Sequence, residues 1–107
     1  MIITFTDLTD NRCYAGYNIT LRCETDTAGG LSISTPKELI IARPDCNLAV
    51  SSPRYAIGTC TQNEHVELVI MQSNYTTDAG SWICAYDGGV QKEYLSVSTG
   101  QFCAALN

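Results

Sequence analysis

Six cysteines stand in a chain of 107 residues, no two of them closer than ten positions, and this constrains the sequence more than any other feature. They are Cys13, Cys23, Cys46, Cys60, Cys84 and Cys103. Protein zinc sites draw on close pairs such as C-x-x-C or on histidines at short spacing. Here the cysteines are scattered and the single histidine is His65, so no metal site is expected. An even number of well-separated cysteines in a short chain reads instead as a disulfide framework, which persists in oxidising compartments. Distant segments are therefore expected to be cross-linked, outside the reducing cytosol.

Length allows one core, and residues 1–107 are expected to form a single domain. Six lysines and arginines against eleven aspartates and glutamates leave a net charge of −5, and the basic residues are spread along the chain. No basic patch for nucleic acid results. Residues 1–10, MIITFTDLTD, lack the basic start and long apolar run of a signal peptide. No apolar stretch approaches the length of a membrane span, so any membrane contact is expected through a segment outside these residues. Asn18-Ile19-Thr20 and Asn74-Tyr75-Thr76 are sequons, which makes Asn18 and Asn74 candidate glycan sites in a secreted chain.

Period-2 alternation dominates the chain, and no window carries a sustained helical stripe. Tyr17, Ile19, Leu21 and Cys23 alternate with Asn18, Thr20 and Arg22; Leu31 and Ile33 alternate with serines; Glu38 to Ala42 is a short apolar run. In HVELVIM, Glu67 is hard to bury, which favours Val66, Leu68 and Ile70 as the inward set. Turn signals fall between these runs at Asp10-Asn11, Ala28-Gly29-Gly30, Arg43-Pro44-Asp45, Ser52-Pro53, Gln62-Asn63 and Asp87-Gly88-Gly89. Many short strands with frequent turns indicate an antiparallel sandwich or barrel.

The stretch TTDAGSWICAY holds the only tryptophan, Trp82, two places before Cys84 and just after the turn Asp78-Ala79-Gly80. In a two-sheet sandwich, cysteines on facing strands bridge the sheets through the core, and Cys23 and Cys84 fit that geometry. Asp78-Ala79-Gly80-Ser81-Trp82-Ile83-Cys84, with a partner cysteine 61 positions earlier, resembles the D-x-G-x-Y-x-C signature of the immunoglobulin superfamily. The resemblance runs from YNITLRC through HVELVIM to SWICAYDGG and YLSVST. It implies an all-β, two-sheet antiparallel Greek-key sandwich of the divergent, variable-set-like kind. In the family a tyrosine two before the cysteine fixes the corner through its hydroxyl. Trp82 takes that place, with an indole N–H as its only polar handle. The family's usual third-strand tryptophan is missing, and Leu31 or Ile33 stands in its stead.

The resemblance also implies cystine pairings. Cys13 and Cys103 each follow strands whose ends lie together in variable-set sandwiches, which leaves Cys46 for Cys60. Six cysteines allow many pairings, and a Cys13–Cys23 hairpin bond is the main rival. The expected core comprises Trp82, Leu21, Leu68, Ile70, Leu95 and Val97.

No chemistry stands out. His65 has no nucleophile motif near it, no G-x-S-x-G occurs, and the acids fall in turns, so neither an enzyme nor a cofactor is expected. Family members bind partner proteins through the outer face of one sheet or through the loops at one end. Alternation points Ile83, Ala85, Tyr94 and Ser96 outward, with Ile40 or Ile41 joining them from the edge strand. This patch is the candidate partner-binding site. The chain is similar to the allorecognition receptors of colonial hydroids, whose outer domains bind copies of themselves between cells. That implies an extracellular recognition and adhesion domain of a single-pass cell-surface receptor, binding another copy on an opposing cell. The alternatives are the immunoglobulin domain of a secreted, lectin-linked immune-defence protein and a viral decoy.

Overall fold

In the computed structural model, residues 2–8, 18–71, 78–86 and 91–97 are described. Cys13, Cys103, Asn74 and the turn Asp87-Gly88-Gly89 lie outside them. The described strands are β1 (Ile3–Asp7), β2 (Ile19–Thr25), β3 (Leu31–Ser34), β4 (Ile40–Ala42), β5 (Tyr55–Thr61), β6 (His65–Ile70), β7 (Gly80–Tyr86) and β8 (Lys92–Val97). They form two four-stranded antiparallel sheets, in the orders β1-β2-β6-β5 and β4-β3-β7-β8. The long variable-set form adds two strands to the second sheet. Here residues 43–54 form no further strand, and β4 is the one addition.

Burial follows the pleat. On β2, Ile19, Leu21 and Cys23 are fully buried, and on β6 so are Leu68 and Ile70, with Val66 nearly so. β2 and β6 pair in register, Ile19 with Ile70, Leu21 with Leu68 and Cys23 with Val66, so both inward sets fall on one face. From the facing sheet come Leu31, Ile33, Trp82, Cys84 and Val97, while Leu95 is half-buried against the cluster. Ile33 lies opposite Cys84, so an aliphatic side chain fills the place beside the cystine.

Cys23 is bonded to Cys84 through this core, and Cys46 to Cys60 at its edge. The first bond removes Cys23 from any hairpin pairing with Cys13. The loops closed span 61 and 14 residues. In the chain-entropy model such closures contribute about 4 and about 3 kcal/mol respectively.

The corner before β7 is where Trp82 acts. Its indole Nε1 donates to the carbonyl of Asp78 at 2.8 Å, and both residues are 0 % exposed. An indole thus closes the corner onto the backbone four residues upstream. Gly80 is required there: its φ is +131°, and a β-carbon would fall 2.8 Å from Cγ of Pro36. The carboxylate of Asp78 forms an ion pair with Arg54, from the turn that enters β5.

Tyr86, at the far end of β7, donates its hydroxyl to the carbonyl of Ala28 at 2.6 Å. Gly29 makes that approach possible, because a β-carbon would lie 2.2 Å from the tyrosine oxygen.

The outer face of the first sheet is polar. Arg22 on β2 bridges Glu67 on β6 at 2.7 Å, and Glu67 also accepts from the backbone N–H of Thr59 at 3.2 Å. Partial burial pushes the Glu67 carboxyl up, but the hydrogen bonds from Arg22 and Thr59 outweigh it and leave the group below the usual glutamate range. A lowered carboxyl contributes stability that is present above the unfolded-state value and lost as pH falls through the folded one. Wild type is therefore expected to lose on the order of 1 kcal/mol more than Glu67→Gln between neutral pH and pH of about 3. Urea midpoints for the two proteins at both pH values check this.

Candidate functional site

The second sheet carries a different outer face. Its register aligns Ile40 on β4 with Ser34 on β3, Ser34 with Ile83 on β7, and Ile83 with Tyr94 on β8. One cross-strand row, Ile40-Ser34-Ile83-Tyr94, therefore crosses all four strands. With strands about 4.8 Å apart, its ends lie about 14 Å from each other. Beside it runs Ser32-Ala85-Lys92, and on the other side Ser81 pairs with Ser96. The ends of the main row are open to solvent, with Ile40 47 % and Tyr94 58 % exposed. Its middle is closed: Ser34 is 8 % and Ile83 only 6 % exposed.

Two positions of the candidate patch need correction. Ile41 does not reach this face; it is 1 % exposed and packs in the core. The cause is a bulge in β4. Ser34 pairs with Ile40 but Ile33 with Ala42, so Ile41 is the extra residue, and it turns inward together with Ala42. The turn before β4 sets this phase, with Glu38 N–H bonded to the Thr35 carbonyl and Thr35 N–H to the Leu39 carbonyl. Glu38 itself has a φ of 66°, so the apolar run 38–42 enters the strand only at Ile40.

Ile83 does lie off the core side of β7, but its side chain is not offered to solvent. A residue on a central strand has cross-strand neighbours on both sides about 5 Å away. Ile83 has Ser34 on one side and Tyr94 on the other, and between them little of it stays open. Ala85 is half-buried and Ser96 exposed. Ser34 was not singled out in the sequence. Its alternation with Ile33 was the available signal, since the partner of an inward residue faces out.

Other sequence candidates fall elsewhere. Asn18 is exposed, immediately before β2. His65 begins β6 and lies 3.3 Å from the Thr59 hydroxyl. Among the described residues, no three histidine, cysteine or acidic side chains gather as a metal site would require. The row on the second sheet is what remains: a shallow apolar strip with a tyrosine at one end and an isoleucine at the other. Such a surface suits contact between proteins rather than covalent chemistry.

No family model matches the sequence, and no curated protein matches it. Solved structures do. The Ig1 domain of mouse SynCAM 2 matches with a TM-score of 0.65 at 18 % identity, covering 79 % of this chain and 86 % of that one. A chain of the ZIG-8–RIG-5 IG1-IG1 heterodimer matches with a TM-score of 0.58 at 15 % identity, covering 88 % of this chain and 90 % of that one. At such identities the likeness concerns the backbone. Taken with the two four-stranded antiparallel sheets and the cystine that joins them, it identifies the fold of this chain as an immunoglobulin-like sandwich.

Proposed function

We propose that this chain is an extracellular recognition and adhesion domain that binds a second copy of itself on an opposing cell, in self/non-self recognition. The domain spans residues 1–107 and belongs to a single-pass cell-surface receptor. The binding surface is the outer face of β4-β3-β7-β8, with Tyr94 and Ile40 as its anchors. One observation carries this reading: the two outer faces differ in kind. The β1-β2-β6-β5 face bears the Arg22–Glu67 ion pair and has the sequon residue Asn18 beside it. The opposite face presents the row that ends in exposed Ile40 and Tyr94. Two cystines suit an oxidising, extracellular setting. The ZIG-8–RIG-5 structure is a heterodimer formed between two Ig1 domains, which supports partner binding by a domain of this shape.

Self-binding has a simple geometry on this row. A two-fold axis lying in the interface, parallel to the strands and passing over the row between Ser34 and Ile83, would bring Ile40 of one copy toward Tyr94 of the other, twice. A stable contact of this kind wants about 800 Å² per partner, with an aromatic anchor in it.

Sedimentation of the domain over a range of concentrations tests the proposal. Tyr94→Asp and Ile40→Asp are each expected to weaken self-association by at least about thirtyfold, and to abolish aggregation of cells that display the domain. Both side chains are exposed, so both variants should still fold, with thermal midpoints lowered only slightly, more for Tyr94→Asp because Tyr94 covers one side of Ile83. Ile83→Asp is the wrong probe, since it would place a carboxylate at a nearly closed position. Association that survives both substitutions at wild-type strength would remove this face as the binding site and direct attention to the end loop 26–30.

A further inference from the structure

The stretch that follows β4 rests Leu48 and Val50 against the core, and its backbone also covers the edge of β4. After Ala42 the chain turns back on itself. Arg43 donates its backbone N–H to the carbonyl of Asn47 at 2.8 Å, Ala49 donates to Ile41 at 2.7 Å, and Ala42 bridges Leu48 in antiparallel fashion. Residues 47–49 thus lie along the outer edge of β4 and occupy backbone groups that an edge strand otherwise presents to any passing chain.

The turn that makes this possible contains Cys46, whose φ of 67° lies in the left-handed region. A residue with a β-carbon is disfavoured there. Cys46 is bonded to Cys60 on β5, in the other sheet, so the bond anchors the tip of the turn across the sandwich. Its surroundings differ from those of the core cystine. Cys23 and Cys84 are fully buried, whereas Cys46 and Cys60 are both half-buried.

We propose that the Cys46–Cys60 bond is a redox latch on the edge of β4: a dithiol opens it while Cys23–Cys84 stays closed, and opening frees residues 43–49 from the strand. Thiol–disulfide exchange needs a sulfur that the attacking thiolate can reach, and of the two described bonds only this one joins residues that are not fully buried. One thiolate of the dithiol attacks a sulfur and forms a mixed disulfide. Its second thiol then closes onto the first, and Cys46 and Cys60 leave as free thiols. Two electrons and two protons pass to the protein, and the dithiol becomes a disulfide. With the bond gone, the left-handed turn loses its anchor while the core cystine still joins the two sheets. The latch does not depend on the recognition function proposed above.

The test is a titration of the folded chain with dithiothreitol, with thiols trapped by iodoacetamide and mapped by peptide mass spectrometry, alongside amide hydrogen exchange. Cys46 and Cys60 should be labelled at a dithiol concentration at least about tenfold below that needed for Cys23 and Cys84. At that point the amides of Arg43 and Ala49 should exchange at least about tenfold faster, while β2 and β6 keep their protection. The double variant Cys46→Ser, Cys60→Ser should show the same exchange pattern without reductant. Labelling of all four cysteines together, or unchanged exchange at Arg43 and Ala49 once the bond is open, would overturn the latch. So would failure of the double variant to fold, since opening would then unfold the domain rather than release one turn.

Discussion

Trp82→Ala is expected to lower the unfolding free energy by about 3–5 kcal/mol, as large-to-small substitution of a buried aromatic does. Two effects combine in that figure. Trp82 is the largest of the fully buried side chains and packs in the cluster that surrounds the Cys23–Cys84 bond. It also holds the corner, through its N–H to the Asp78 carbonyl. Trp82→Phe separates the two. It keeps most of the apolar volume but leaves the Asp78 carbonyl without that donor, for an expected loss of about 1–3 kcal/mol. Denaturant unfolding of both variants gives the comparison. A phenylalanine variant as stable as wild type would mean that Trp82 acts only by packing.

Arg54→Met should cost about 3 kcal/mol, for an electrostatic reason. Asp78 is 0 % exposed and its carboxylate is paired with Arg54, whose side chain is about a third exposed. Removing the cation takes the Arg54 pairing from a buried charge, which is more harmful than never having had the pair. The partial exposure of Arg54 places the cost at the low end of the usual range. Joint replacement, Arg54→Met with Asp78→Asn, should recover part of the loss because the buried charge goes too. Arg54→Met and Trp82→Phe act on the same residue, one through the Asp78 carboxylate and the other through its carbonyl, so their effects should not add. A four-variant cycle measured by urea unfolding tests both points. Additivity within experimental error would mean that the ion pair and the corner are independent.

Both predictions concern one corner, and it joins the two sheets. Arg54 enters β5 of the first sheet, while Asp78 leads into β7 of the second. The ion pair and the Trp82 bond therefore lock the sheets together at one place and the Cys23–Cys84 bond at another. Strand β7, one of the two central strands of the β4-β3-β7-β8 sheet, is thus held at both points, and for the interface proposed on that face such anchoring would limit the binding energy lost to ordering.

The sandwich was legible in the sequence because its information is local. Alternation along β2 and β6, punctuation at the turns, and the aromatic-x-cysteine after an Asp-x-Gly corner each depend on residues within a few positions of one another. Alternation and turns point to an antiparallel sandwich or barrel, the resemblance implies two sheets, and two antiparallel sheets are present. The corner was implied by the resemblance, in which an aromatic two before the cysteine fixes the turn, and here the Trp82 indole bonds the Asp78 carbonyl.

What stayed hidden depended on register and on partners distant in sequence. Whether Ile40 or Ile41 faces out is undecidable from an apolar run, because two isoleucines in succession satisfy either phase, and only the bulge opposite Ile33 and Ser34 selects one. The pairing of Arg54 with Asp78 spans 24 positions and two sheets, and no pattern along the chain marks it. The closure of Ile83 by its neighbours on β3 and β8, and the return of residues 47–49 over the edge of β4, are also products of assembly. The sequence by itself determined the class of fold, since side-chain periodicity and turn chemistry are properties of neighbouring residues. Tertiary structure alone decided which side chains the outer face presents, because exposure is set by the strands that lie alongside, and these are brought together only when the sheets form.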